Sequence, residues 1–184
     1  YGLFQGDAPV PADSEAEVYE RLGLQYVPPE LREDMGEIEA AEARTVPVLV
    51  REKDVQGVFH VHTNFSDGSD PVEKMAGAAR KLGFKYIGIS DHSKSAYYAG
   101  GLKPDDVRRQ WDLIDSLNEK WPDFHIFKGI ESDILPDGSL DYDEDVLKGF
   151  DFVIASVHSN FRLARDEQMA RIITAIGNPY MTML

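Results

Sequence analysis

From Val55 onward, two kinds of hydrophobic pattern take turns along the chain. Short apolar, β-rich runs occur at Val58–His62, Tyr86–Ser90, Phe124–Ile130, Phe152–Val157 and Tyr180–Leu184. Between them lie stretches with helical spacing. Pro71–Leu82 has proline in its first turn and Gly83 at its end, and Pro104–Trp121 carries Val107, Trp111, Ile114 and Leu117 on one face. Asp143–Leu147 and Asp166–Ile176 complete the series. This alternation predicts a parallel sheet with helical crossovers, either an α/β barrel or an open doubly wound sheet.

The segment before Val55 has a different character. Ser14-Glu15-Ala16-Glu17 fits a capping box, Val18, Tyr19 and Leu22 follow at helical spacing, and Gly23 ends that short helix. Pro28-Pro29 marks an extended turn, and Glu30–Glu42 reads as an acidic, solvated helix or linker. The expected division is therefore residues 1–54 and residues 55–184.

Composition narrows the reading. No run reaches the roughly 18–20 apolar residues of a membrane span. The N-terminus has no basic region followed by an apolar one, so it is not a signal peptide. The chain has no cysteine, which excludes disulfides and thiolate ligands and fits a cytoplasmic protein. Its net charge of −14 opposes nucleic-acid binding at long range, unless bound cations reverse the field locally or a further domain of the full-length chain carries the basic surface.

The chemistry gathers where the predicted strands end. The first closes on His60-Val61-His62, the second on Ser90-Asp91-His92, the third on Gly129-Ile130-Glu131 and the fourth on Ser156-Val157-His158. Strand C-termini share one face of such folds, and sites are built there. Each fragment alone is commonplace; their equivalent placement points to a metal cluster. On a regular strand His60 and His62 would project to the same side, and Asp67 in the following polar loop is placed to reach it. Imidazole and carboxylate donors without thiolate suit Mn, Zn or Fe. His125, inside or at the start of a strand, reads as structural or solvent-facing. Lys94 is a weaker candidate for substrate phosphate, as are Arg162 and Arg165. Tyr97 and Tyr98, beside Gly100-Gly101, read as a plain loop more readily than as a lid.

These motifs resemble a known family. His60-Val61-His62-Thr63-Asn64-Phe65-Ser66-Asp67-Gly68, Ile89-Ser90-Asp91-His92-Ser93, Gly129-Ile130-Glu131 and Ala155-Ser156-Val157-His158 resemble, in order, four motifs of PHP phosphoesterase domains. The finer resemblance is to the PHP domain at the C-terminus of bacterial family X DNA polymerases. It draws on Tyr1-Gly2-Leu3-Phe4, on Gly23–Glu33 and on the stretch from Asp91-His92-Ser93-Lys94-Ser95 to Gly100-Gly101-Leu102. The resemblance implies a distorted (β/α)7 TIM-like barrel with up to three divalent metal ions, Mn or Zn foremost. It also implies 3′–5′ exonuclease or 3′-phosphatase activity on DNA, a polymerase core in the same full-length chain, and a place in DNA repair. Carried over by position, His60 and His62 would bind a first metal, Glu131 would bridge the first and second, and His158 would bind the second. Asp67 and His92 would bind a third.

The family pattern continues with three further ligands after a fifth strand. This sequence stops at Met183-Leu184 and has no initiator Met, so it reads as an internal piece with the barrel cut to about five strands behind a short helical linker. Weak or absent activity is expected of the piece itself. No protein nucleophile is required, because clustered cations acidify water, and no protein general acid stands out. The alternatives are a small-molecule phosphatase of the histidinol-phosphate type and a non-catalytic, metal-binding platform.

Overall fold

The structure, a computed structural model, describes residues 3–184. Tyr1 and Gly2, which open the polymerase-like segment, lie outside the described residues. The chain divides into two compact units, one up to Arg51 and one of Glu52–Leu184.

The first unit begins with a pair of strands that the hydrophobic pattern does not predict. β1 (Leu3–Gln5) and β2 (Ala8–Val10) pair antiparallel around Gly6, whose φ of 62° suits a tight turn. Three residues per strand are too few for alternation to show. Helix α1 (Glu15–Arg21) starts at the expected cap, where Ser14 Oγ accepts from the Glu17 N–H at 3.2 Å. Glu17 returns its carboxylate one residue earlier than in a standard capping box, to the Asp13 N–H at 2.7 Å. Within the acidic stretch, α2 (Glu37–Glu42) buries Ala41 against Val27 and Val46 in a small core. Of the two readings of this stretch, helix or linker, Glu37–Glu42 takes the helix, with Ala41 its buried residue.

The second unit is a curled, parallel α/β half-barrel. Four strands, β3 (Gly57–Val61), β4 (Tyr86–Ile89), β5 (His125–Asp133) and β6 (Phe152–Ser156), lie side by side in chain order. Helices α3 (Val72–Lys81), α4 (Pro104–Lys120) and α5 (Glu144–Leu147) make the crossovers, and α6 (Arg165–Ile176) follows β6. Val72, Ala76, Ile114 and Leu117 pack on Ile87, Ile89 and Ile126. Farther along the same face Ile130, Val153 and Ala155 pack with Ile134, Leu147 and Ala175. Each such aliphatic side chain contributes roughly 1.5–3 kcal/mol when fully buried. With helices on that face and the rings of Phe59, Tyr86, Phe127 and Phe152 gathered on the opposite one, the strands show apolar runs instead of alternation.

Two strand ends depart from the pattern. β5 runs on through the polar residues Glu131-Ser132-Asp133, which pair with Ile154-Ala155-Ser156. The expected fifth strand contributes one bridge, Met183 to Ile154, with the Ala155 N–H donating to the Met183 carbonyl at 2.9 Å.

Candidate metal centre

Glu131 is the hub of the site. It stands near the end of β5, 4% exposed, with four imidazoles around its carboxylate. His60 Nε2 and His158 Nε2 lie 3.2 Å from Oε1, while His62 Nε2 and His92 Nδ1 lie 3.2 and 3.1 Å from Oε2. His62 Nδ1 is 2.9 Å from Asp67 Oδ1, and the other Asp67 oxygen is 3.6 Å from His92 Nε2. The structure thus brings His60, His62, Asp67, His92, Glu131 and His158 together. They form three donor triads, each within 4.8 Å: His60–His62–Glu131, His62–Asp67–His92 and His92–Glu131–His158.

The local route differs from the one the alternating spacing suggests. Strand pairing of β3 slips between Val58 and Val61, and His62 lies just beyond the strand. His60 has a φ of 63°, in the left-handed region that non-glycine residues rarely occupy. A local irregularity, not regular alternation, aims both rings at Glu131. Strain of this kind is worth on the order of 1–3 kcal/mol and tends to collect at functional sites.

The loop after His62 is anchored by Asp91, which is fully buried. Its carboxylate accepts from the Thr63 N–H and Thr63 Oγ1 (both 2.7 Å), from Ser66 Oγ (2.5 Å) and from Gln110 Nε2 (2.7 Å). Loop, β4 and α4 are thereby joined at one point, one residue before His92. Gly68 completes the loop. A Cβ there would meet the His62 carbonyl oxygen at 2.6 Å.

The electrostatics are those of a site waiting for positive charge. Burial pushes the Glu131 carboxyl up, but the close approach of His62, the hydrogen bond from Ser156 and the nearby histidines outweigh it and bring it down to about 2. His62 moves the opposite way. Its close approach to the Glu131 carboxylate outweighs burial and, with Asp67, raises it to about 9. For His92 burial prevails and lowers the imidazole. Two buried atoms, His92 Nδ1 and Glu131 Oε2, face each other at 3.1 Å without making a hydrogen bond. Buried polar atoms ordinarily find partners, and a cation between these two would satisfy both. The donor set of imidazoles and carboxylates suits Mn, Zn or Fe.

Lys94 and Arg162 stand outside this cluster. Lys94 is exposed, with its ammonium 5.5 Å from the centre of the Tyr142 ring, and lines a separate surface cavity with Ser95, Tyr97, Gly100 and Lys103. Arg162 is exposed in the turn after His158, and Arg165 opens α6. Tyr97 and Tyr98 are exposed in a short 3-10 turn, and the Tyr98 ring centre lies 6.2 Å from that of His92. His125 is exposed at the start of β5 and stacks edge-on against Phe127.

Two residues near the site were not singled out from sequence. Asp133, buried at the end of β5, lies 2.7 Å from His158 Nδ1. Its signal is its position two residues after Glu131, which is legible only if the strand is carried past the apolar run. Arg171 is buried on α6 and donates to the carbonyls of Ile134, Leu135 and Ser159. Nothing in the spacing of α6 distinguishes it from a surface arginine.

Comparison with known proteins bears on the whole arrangement. The PHP domain family matches residues 59–177, which takes in all six clustered residues. The chain belongs to the PHP domain family. Ahead of the PHP domain, residues 1–33 match the DNA polymerase beta thumb. The "DNA polymerase/3'-5' exonuclease PolX" of Bacillus subtilis (strain 168) is 40% identical over 171 residues, covering 93% of this chain and 30% of that protein. A "Probable phosphatase" of Caldanaerobacter subterraneus is 33% identical over 137 residues, 68% of this chain and 49% of its own length. One from Thermoanaerobacter sp. (strain X514) is 32% identical over 136 residues, 68% and 51% respectively. The chain therefore spans about a third to a half of the relatives it matches, and its PHP domain is PolX-like. No helix among the described residues is long and apolar enough to cross a membrane.

Proposed function

We propose that the PHP domain hydrolyses phosphate esters at the 3′ end of DNA, as the 3′–5′ exonuclease and 3′-phosphatase part of a bacterial family X DNA polymerase in the cytoplasm. The observation that carries this reading is the convergence of four histidines and Asp67 around Glu131. The thumb match and the PolX relative support DNA as the substrate.

In this reading His60 and His62 would hold one divalent ion with Glu131. His158 would hold a second together with Glu131, and Asp67 and His92 would hold a third. Bound there, Mn or Zn ions supply Lewis-acid stabilisation of the phosphoryl oxygens and acidify water near neutral pH. The chain's own residues prepare the site. Glu131 stays ionised despite its burial. Asp67 faces His62 Nδ1 and so leaves Nε2 directed at Glu131. Lys94 and Arg162, both exposed, would meet phosphates flanking the scissile one.

The test uses DNA primers ending in a 3′-hydroxyl or a 3′-phosphate, incubated with Mn²⁺ and the polymerase that contains this domain. Glu131→Ala and His92→Ala should abolish shortening and dephosphorylation while leaving nucleotide addition intact. Wild-type rates of primer degradation in both variants would contradict the assignment. A second reading, a phosphatase of small molecules, draws on the probable-phosphatase relatives. Hydrolysis of histidinol phosphate, with both primers left untouched, would favour it.

A further inference from the structure

Glu131 and Asp133 are two residues apart on one strand, so both side chains project from the same face of β5. Glu131 meets the imidazoles directly. Asp133 belongs to none of the three donor triads. It stands behind the site, 4% exposed, against the far nitrogen of one of those imidazoles.

Its backbone is fixed on both sides. The Asp133 N–H donates to Ser93 Oγ at 2.9 Å, the residue pairs in register with Ser156, and the next N–H, that of Ile134, donates to the Ser156 carbonyl at 2.8 Å. Asp133 Oδ1 then lies 2.7 Å from His158 Nδ1, while His158 Nε2 points to Glu131 Oε1 at 3.2 Å. An ionised carboxylate only accepts hydrogen bonds. Both ring nitrogens of His158 face carboxylates, but Asp133 is the nearer, so in the neutral ring the geometry favours the hydrogen on Nδ1 and the lone pair on Nε2, the nitrogen that faces the hub.

We propose that Asp133 is the positioning residue for His158, holding it as the Nδ1–H tautomer with Nε2 presented as a metal donor. This rests on reading His158 as one of the metal-binding residues. A partner of this kind fixes both the orientation and the basicity of a ligating imidazole, and losing it typically weakens metal binding about 10- to 100-fold. His62 and Asp67 repeat the geometry at 2.9 Å, but Asp67 also approaches His92 and is itself a candidate ligand. Asp133 has no such second role, which makes it the cleaner case.

The test combines nitrogen NMR of the histidine rings with Mn²⁺ titration, on the full chain. In the metal-free protein, at a pH alkaline enough for the ring to be neutral, His158 should carry its proton on Nδ1. Asp133→Ala should shift the proton toward Nε2 and weaken Mn²⁺ binding about 10- to 100-fold. Asp133→Asn keeps an acceptor oxygen and should preserve the tautomer and most of the affinity. A wild-type His158 protonated on Nε2 overturns the proposal, and does so even if Asp133→Ala fails to fold. So does a folded Asp133→Ala with wild-type tautomer and affinity. His158→Ala separates the two layers. If it binds Mn²⁺ as tightly as wild type, the metal reading of His158 falls, while the tautomer measurement still decides what Asp133 does.

Discussion

Glu131 and His62 carry opposite displacements from their ordinary titration ranges, to about 2 and about 9, each produced largely by the other. In the metal-free chain the imidazole is therefore protonated through neutral pH, and its proton must leave before Nε2 can accept a cation. Protons and metal compete, so affinity for Mn²⁺ should rise with pH, by about tenfold per unit for one displaced proton, and level off near pH 9. Calorimetric titrations across that range check this; an affinity independent of pH would contradict it. Stability runs the other way. The raised imidazole contributes stability fully below its unfolded value of 6.5, and this is lost as pH rises through about 9. His60 presents a second conflict within one residue. Its left-handed backbone is strained for any side chain but glycine. His60→Gly should stabilise the metal-free chain by about 0.5–1 kcal/mol in urea denaturation while weakening metal binding. A destabilised variant would mean that the ring's packing outweighs the strain.

At the scale of elements, the site is a set of strand ends tied together by buried polar groups. Asp91 does most of the tying, because its carboxylate takes hydrogen bonds from the loop after β3 and from Gln110 on α4. Asp91→Ala leaves those donors unpaired in a buried place. It should cost roughly 3 kcal/mol in urea denaturation and also weaken metal binding. An unchanged midpoint would show that the loop is held by other means. How much of this was legible follows from what each element is made of. β4 and β6 are continuous apolar runs, so the sequence marks them and the Asp91-His92 and Val157-His158 steps that follow. β5 was read short because its last residues are polar and carry the site instead of the core. The turn of the chain at His60 was invisible, since a backbone irregularity leaves no trace in a hydrophobic pattern. The β1–β2 pair escaped for a different reason: its strands are shorter than one full alternation. Asp133 and Arg171 escaped because each acts across the fold on a partner distant in sequence.

For the whole molecule, the decisive quantity is charge. A chain at −14 has no long-range attraction for DNA. Within this domain, a phosphate can be attracted by cations held at one buried carboxylate and the imidazoles around it. That makes the centre both the chemical apparatus and the local reversal of the field that lets a phosphate approach. The most direct measurement is metal content by elemental analysis after incubation with Mn²⁺ or Zn²⁺ and removal of the excess, on wild type and on Glu131→Ala. The account predicts bound metal in the wild type, up to one ion for each of the three donor triads, and its loss on removing the shared carboxylate. A wild-type chain that retains no metal, or a Glu131→Ala chain that retains as much as wild type, would contradict it.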